Sequence, residues 1–163
     1  MVAQPDVVRL SKKPVEVFIS YTREDEELKN ELLKHLSTMK RNGEIRIWHD
    51  RMIAAGREWE GQIDENLDKA DLILLLVSAG FIASDYCWDV EVKRAMERHE
   101  ARTARVIPII LRETDLKNVS FAKLQSLPKD RKPVTDPKSW ISHDAAWVNV
   151  VEGLRTAIGD LTA

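Results

Sequence analysis

Cys87 and Glu91 stand four positions apart, and both lie behind a short loop that follows an almost wholly apolar run, residues 71–78. A carboxylate in such a place can stabilise a developing cation or grip a hydroxyl of a substrate. A thiol there becomes a nucleophile only beside a base or cation that lowers its pKa. No histidine neighbours Cys87 in the sequence, so the thiol reads as a small buried residue and Glu91 as the chemical candidate. Ser20-Tyr-Thr-Arg23 and Trp48-His-Asp50 bring hydroxyl, aromatic and charged groups to the ends of two β-rich runs. Plainer readings stand beside these. Periodicity alone favours Glu91 as a solvated helix carboxylate paired with Lys93 or Arg94. Tyr21 and Thr22 also fit as strand-end residues, Trp48 as a cover for the sheet edge, Asp50 and Arg51 as a loop ion pair, and Arg23 as a solvent-facing side chain.

Several other chemistries are excluded. No G-x-G-x-x-G follows the first β-rich run and no Walker A sequence occurs, which removes dinucleotide dehydrogenases and P-loop NTPases. Ser20, Ser78 and Ser84 lack the G-x-S-x-G context of a hydrolase elbow. A phosphorylated-aspartate receiver would need acidic residues where Ser20-Tyr21 and Ser78 stand. One cysteine precludes an internal disulfide, and His49, His99 and His143 have no ligand spacing, so no metal is expected. The net charge of −2 gives no nucleic-acid footprint. Residues 1–14 have no apolar signal core, and the run at 72–77 is too short to span a bilayer. The expectation is a cytoplasmic protein with neither nucleic acid nor membrane as partner.

The elements that must position these residues follow from hydrophobic period. Residues 15–20 form a β-rich run, and residues 25–39 place Leu28, Leu32, Leu33, Leu36 and Met39 on one helical stripe that Asn42-Gly43 ends. Residues 44–48 alternate as a peripheral strand, and a surface loop with Gly56 leads to a helix through Trp59, Ile63, Leu67 and Ala70. Residues 71–78 make the central strand, buried on both faces. A helix from residue 84 puts Trp88, Val92, Ala95, Met96 and His99 on one face. Residues 105–111 form a further strand, where Pro108 argues for an edge or a bulge. Residues 112–142 are irregular apart from a short helix read at 121–127, and a helix from residue 144 closes the chain with Trp147, Val150, Val151, Leu154, Ile158 and Leu161. This alternation predicts one α/β domain over residues 15–161 behind a flexible leader or linker, residues 1–14. Its fold is flavodoxin-like and three-layered, with a central parallel sheet in order 2-1-3-4-5 and a short or irregular last strand.

In that order the first and third strands are neighbours whose connections leave to opposite faces, opening a crevice at their carboxyl ends. Ser20, Tyr21, Thr22 and Arg23 would line one side and residues 78–87, with Ser84, the other, with Trp48 and Asp50 on the flank. Cys87 and Glu91 share a helical face rotated from the Trp88/Val92/Met96 stripe, which puts Glu91 at the edge of the core rather than inside it.

These motifs together resemble a known family. Val17-Phe-Ile-Ser-Tyr21 with Arg23-Glu-Asp25 is similar to the first box of Toll/interleukin-1 receptor (TIR) domains, and Trp48-His-Asp50 with Gly56 and Trp59 to their second strand and the loop after it. The run at 70–78 with Ser84-Asp-Tyr-Cys87 and Glu91, then residues 106–111 and 127–134, resembles the bacterial-type branch. The resemblance implies a flavodoxin-like fold and cleavage of NAD⁺ at the nicotinamide–ribose bond. The products would be nicotinamide and ADP-ribose or a cyclic isomer, often a signal in antiphage immunity, with no cofactor because NAD⁺ is the substrate. It maps the catalytic glutamate onto Glu91, with substrate contacts at Ser20, Tyr21, Thr22, Arg23, Trp48, Asp50, Ser84, Cys87 and Trp88. It also implies homotypic TIR–TIR self-association through the loop carrying Met52, Ile53, Ala54, Gly56, Arg57 and Glu58, and a fused or separate sensor or effector domain. Many enzymatic members have a Trp four residues before the glutamate; here Cys87 stands there and Trp88 is adjacent. A single carboxylate suits this reaction, since nicotinamide leaves as a neutral molecule and needs no acid, unlike the leaving group of ordinary glycosidases. A non-enzymatic TIR–TIR interaction module is the alternative that the same resemblance implies, and a nucleotide-binding sensor a third.

Overall fold

The computed structural model describes residues 13–49 and 65–163 and contains one parallel sheet of four strands. These are β1 (Val15–Ser20), β2 (Ile45–His49), β3 (Leu72–Val77) and β4 (Arg105–Ile110), in the order β2-β1-β3-β4. Phe18 pairs with Trp48 and Ile73, and Leu75 with Ser20 and Pro108. The described helices are α1 (Glu26–His35), α2 (Ser37–Arg41), α3 (Glu65–Lys69), α4 (Ala79–Ala83), α5 (Lys93–Glu100) and α6 (His143–Thr162).

Alternate strand residues supply the two cores, as the period of two requires. Val17, Ile19, Leu72, Leu74 and Leu76 pack with Leu28, Leu32, Leu36, Trp147, Val150 and Leu154. Phe18, Ile73, Leu75 and Val77 pack with Leu67, Phe81, Val92, Ala95 and Phe121. All six residues of β3 are buried because both faces are covered, which is why that strand carries no polar alternation. The three-layer flavodoxin-like fold expected from the element order is the one observed.

Several boundaries differ from expectation. The stripe read as one helix at 25–39 is split at Leu36 (φ −90°, ψ −4°) into α1 and α2, while Asp25 belongs to a 3₁₀ turn, Arg23–Asp25. The stripe's buried members Leu28, Leu32, Leu36 and Met39 are unaffected by the split. A short helix, α4, lies where a loop was expected before residue 84. The fifth strand is reduced to a parallel bridge between Ile109 and Leu127. Leu127 donates to the Pro108 carbonyl at 2.9 Å and accepts from Ile110 N–H at 2.8 Å. Pro108 thus turns its carbonyl, and the side that lacks a donor, toward the outer edge rather than toward β3. The helix read at 121–127 is a 3₁₀ turn, Ser120–Lys123. Leu127 also sits on α6, where a Cβ on Gly153 would come within 2.5 Å of its Cδ2.

Arg98 ties the lower end of the fold together. Its guanidinium donates to the carbonyls of Leu67 (2.9 Å), Ala70 (2.6 Å) and Thr103 (2.6 Å), satisfying the last carbonyls of α3 and the turn after α5. Burial, then the neighbouring Arg94, lower its pKa from the ordinary arginine value.

Candidate active site

Ser20 ends β1, and its fully buried hydroxyl donates to Glu91 Oε1 at 2.6 Å. Glu91 is 1% exposed. A buried carboxylate is costly unless it is hydrogen-bonded, and a bond to a charged group contributes ~1.5–3 kcal/mol. The backbone that carries Glu91 inward is not a regular α-helix. Ser84 Oγ accepts the Cys87 N–H at 3.2 Å, and the chain then forms a wide π-helical turn, Cys87–Val92, that runs into α5. One extra residue in a turn rotates what precedes it by about 100° from α-helical phase. Glu91 and Val92 are therefore both buried, which corrects the expectation that Glu91 lies at the edge of the core. Turns of this kind occur frequently at functional sites.

The reading of Glu91 as partner of Arg94 is also overturned. Arg94 donates to Asp68 at 2.7 Å and lies 3.5 Å from Glu97. The hydrogen bond and charge of Asp68 raise the Arg94 pKa above its ordinary value.

Around Glu91 the structure gathers Ser20, the Tyr21 backbone and Cys87. Cys87 is 2% exposed and its thiol donates to the Tyr21 carbonyl at 3.5 Å. The Tyr21 ring is fully buried, edge-on to His49 with centroids 5.8 Å apart, and Lys29 Nζ lies 5.1 Å from its centre. Thr22 accepts the Asp25 N–H at 2.9 Å, and Arg23 is exposed. Ser84 serves as the cap of the wide turn. Trp48 donates to Glu16 Oε2 at 3.4 Å and packs on the Phe18 side of the sheet. Trp88 packs on Phe121 at 6.2 Å and lines an outer groove with Val92 and Met96, one that Glu91 does not line. Asp50, Met52, Ile53, Ala54, Gly56, Arg57 and Glu58 lie outside the described residues.

The expected crevice between the exits of β1 and β3 is partly filled by a polar cluster in which Ser78, expected in the lining, meets two partners that sequence reasoning missed. Asp25, 2% exposed, accepts from the buried Ser78 hydroxyl and from Arg112 Nε at 3.2 Å. Ser78 Oγ also accepts the Phe81 N–H at 3.1 Å and so caps α4. A Cβ on Gly80 would meet the end of the exposed Glu24 side chain and lie 3.4 Å from Thr22 Cγ2, which shows how closely the turn after β1 approaches α4. The Ser78 cap had a signal in sequence, a Ser directly before a short helical run; the Asp25 and Arg112 partners had none. Among the described residues no group of three or more His, Cys, Asp and Glu could hold a metal ion. No described helix is long and apolar enough to cross a membrane.

Comparison with known proteins bears on this site. A protein-family model described as "TIR domain" matches residues 17–136. The chain is 49% identical over 146 residues to the uncharacterized protein y4lF of Sinorhizobium fredii (strain NBRC 101917 / NGR234), covering 90% of this chain but 44% of that protein. It therefore spans less than half the length of that relative. In fold it is similar to the crystallised TIR domain of the Toll-related receptor TRR-2 from Hydra magnipapillata. That match has a TM-score of 0.55 and 17% identity and covers 86% of this chain and 98% of the other.

Proposed function

The chain belongs to the TIR-domain family, and on that premise we propose that it cleaves NAD⁺ at the nicotinamide–ribose bond with Glu91 as its catalytic carboxylate. The observation that carries this reading is the Ser20–Glu91 pair: a carboxylate turned inward by a wide helical turn and held by a hydroxyl at the end of β1. The bond pair of the glycosidic C–N bond leaves with nicotinamide, which departs neutral, and the sugar carbon passes through an oxocarbenium-like state. Glu91 stabilises that positive charge and holds a ribose hydroxyl, an arrangement whose removal commonly costs ~10²–10³ in rate. Water then adds to the carbon and releases a proton to give ADP-ribose, or an adenine nitrogen adds to give a cyclic isomer. Substrate contacts are assigned to Ser20 beside Glu91, to Thr22 and Arg23 after β1, and to Asp50, which follows β2 in the sequence. Self-association through the loop with Met52, Ile53, Ala54, Gly56, Arg57 and Glu58 completes the site, and the setting is cytoplasmic antiphage or signalling function beside another domain.

Two observations favour a second reading, a non-enzymatic TIR–TIR interaction module: Glu91 is almost closed to solvent, and Cys87 stands where many enzymatic members carry a Trp. Incubating the concentrated protein with NAD⁺, with and without a crowding agent, separates the two. Cleavage predicts nicotinamide release that Glu91→Gln abolishes without loss of folding. Undiminished release by a folded Glu91→Ala protein sinks the assignment, and no release at any concentration favours the module.

A further inference from the structure

Asp25 is a buried carboxylate for which the reaction above has no use, and its partner Arg112 stands in an unusual place. Arg112 follows β4, yet its Nε reaches Asp25 Oδ1, a residue of the turn after β1. The guanidinium is therefore laid across the carboxyl end of β3, between the exits of β4 and β1. Ser78, at the end of β3, holds the other oxygen of Asp25 and fixes the carboxylate that aims the arginine. Two strand spacings, about 10 Å, separate β4 from β1. Ser20, the partner of Glu91, stands five residues before Asp25 on the same exit. Glu91 and the Arg112 guanidinium are thus tied to one short stretch of chain, residues 20–25, which can span at most about 18 Å.

The neutralising role explains only the Nε side. A buried carboxylate needs a cation, and one contact supplies it. The Arg112 side chain is nonetheless 53% exposed, and its two Nη groups have no hydrogen-bond partner among the described residues. An arginine gripped through Nε, with its outer nitrogens turned to solvent at the carboxyl ends of a parallel sheet, presents the planar fork that suits phosphate. Asp25 meanwhile removes the conformational freedom that a surface arginine would lose on binding.

We infer that Arg112, aimed by Asp25 and Ser78, is an anion-binding residue of the Glu91 site and takes the diphosphate of the dinucleotide substrate. This rests on the NAD⁺ reading for its substrate, and its test has a readout that does not. Arg112→Ala raises the KM for NAD⁺ about ten- to a hundredfold, the range for a lost hydrogen bond to a charged group, with little change in kcat. Nicotinamide riboside has the same scissile bond and no phosphate, so its kcat/KM is unchanged. Arg112→Lys keeps a charge beside Asp25, and with it the folding stability, but loses the fork and weakens NAD⁺ in the same direction. ADP-ribose binding, measured by calorimetry on the same proteins, does not depend on cleavage. A wild-type protein that binds ADP-ribose ten times or more tighter than Arg112→Lys supports the inference even if no nicotinamide is released, in which case only the cleavage reading fails. Equal ADP-ribose affinity in folded wild-type and variant proteins overturns it, as does a wild-type protein that does not bind ADP-ribose, or a KM for NAD⁺ that both substitutions leave unmoved.

Discussion

Ser20→Ala tests the pair on which the site is built, and its size can be worked out from the geometry. The substitution deletes one oxygen at a fully buried position and leaves Glu91, 1% exposed, without the donor that stands 2.6 Å from Oε1. A charge-assisted bond of that length contributes ~1.5–3 kcal/mol, and losing the donor to a buried carboxylate costs at the upper end of that range. For a domain of this size each kcal/mol moves Tm by about 2–4 °C, so Ser20→Ala lowers Tm by roughly 6–12 °C. The diagnostic quantity is the coupling. In a Glu91→Ala background Ser20 has lost its acceptor, and removing its hydroxyl then costs little. Urea denaturation of the four proteins in that cycle should give a coupling energy of ~1–3 kcal/mol. A coupling below about 0.5 kcal/mol would refute the argument that the Ser20 hydroxyl holds Glu91 in place.

Four further outcomes follow from the same coordinates. Gly153→Ala places a Cβ within 2.5 Å of Leu127 Cδ2 and destabilises by ~1–3 kcal/mol in denaturation, and Leu127→Ala in the same chain recovers part of the loss because it removes the obstacle. Ser78→Ala removes both the cap of α4 and the buried donor to Asp25, which predicts a loss of ~2–4 kcal/mol, larger than a cap alone. Trp147→Ala empties a fully buried position whose indole also donates to Glu31 Oε1 at 2.8 Å, and should cost ~3–5 kcal/mol. The Ser139 hydroxyl, then the Lys138 N–H, hold the Asp136 pKa below its ordinary value. The contribution of that turn is therefore present above the usual Asp range and lost as pH falls through the depressed value; the protection factor of the Lys138 amide, its exchange rate relative to an unstructured amide at the same pH, should fall on acidification, and Ser139→Ala should move that change to higher pH.

The sequence was most legible where one chemical property repeats at one period. The apolar run at 71–78 suits a strand covered on both faces, and β3 is that strand. The stripe through Trp147, Val150, Leu154 and Ile158 gave α6 for the same reason. Pro108 pointed to an edge, and β4 is the outermost strand, though a single-residue bridge at Leu127 replaces a fifth. Legibility failed where the outcome turned on one residue more or less per turn. A helix and a wide turn have the same residue preferences, so nothing in residues 84–92 announced that Glu91 would face inward rather than toward Arg94.

What the sequence determined by itself was the order of strands and helices along the chain, and it put Glu91 forward as the chemical candidate. Each rests on patterns within a few residues. What only the tertiary structure decided was what that carboxylate and its surroundings touch. Ser20 reaches Glu91 across 71 residues of chain, Ser78 reaches Asp25 across 53, and Arg112 reaches Asp25 across 87. Hydrogen bonds of about 3 Å between groups so far apart in sequence exist only after parallel strands bring their ends to one edge, and no local pattern encodes which side chains will meet there.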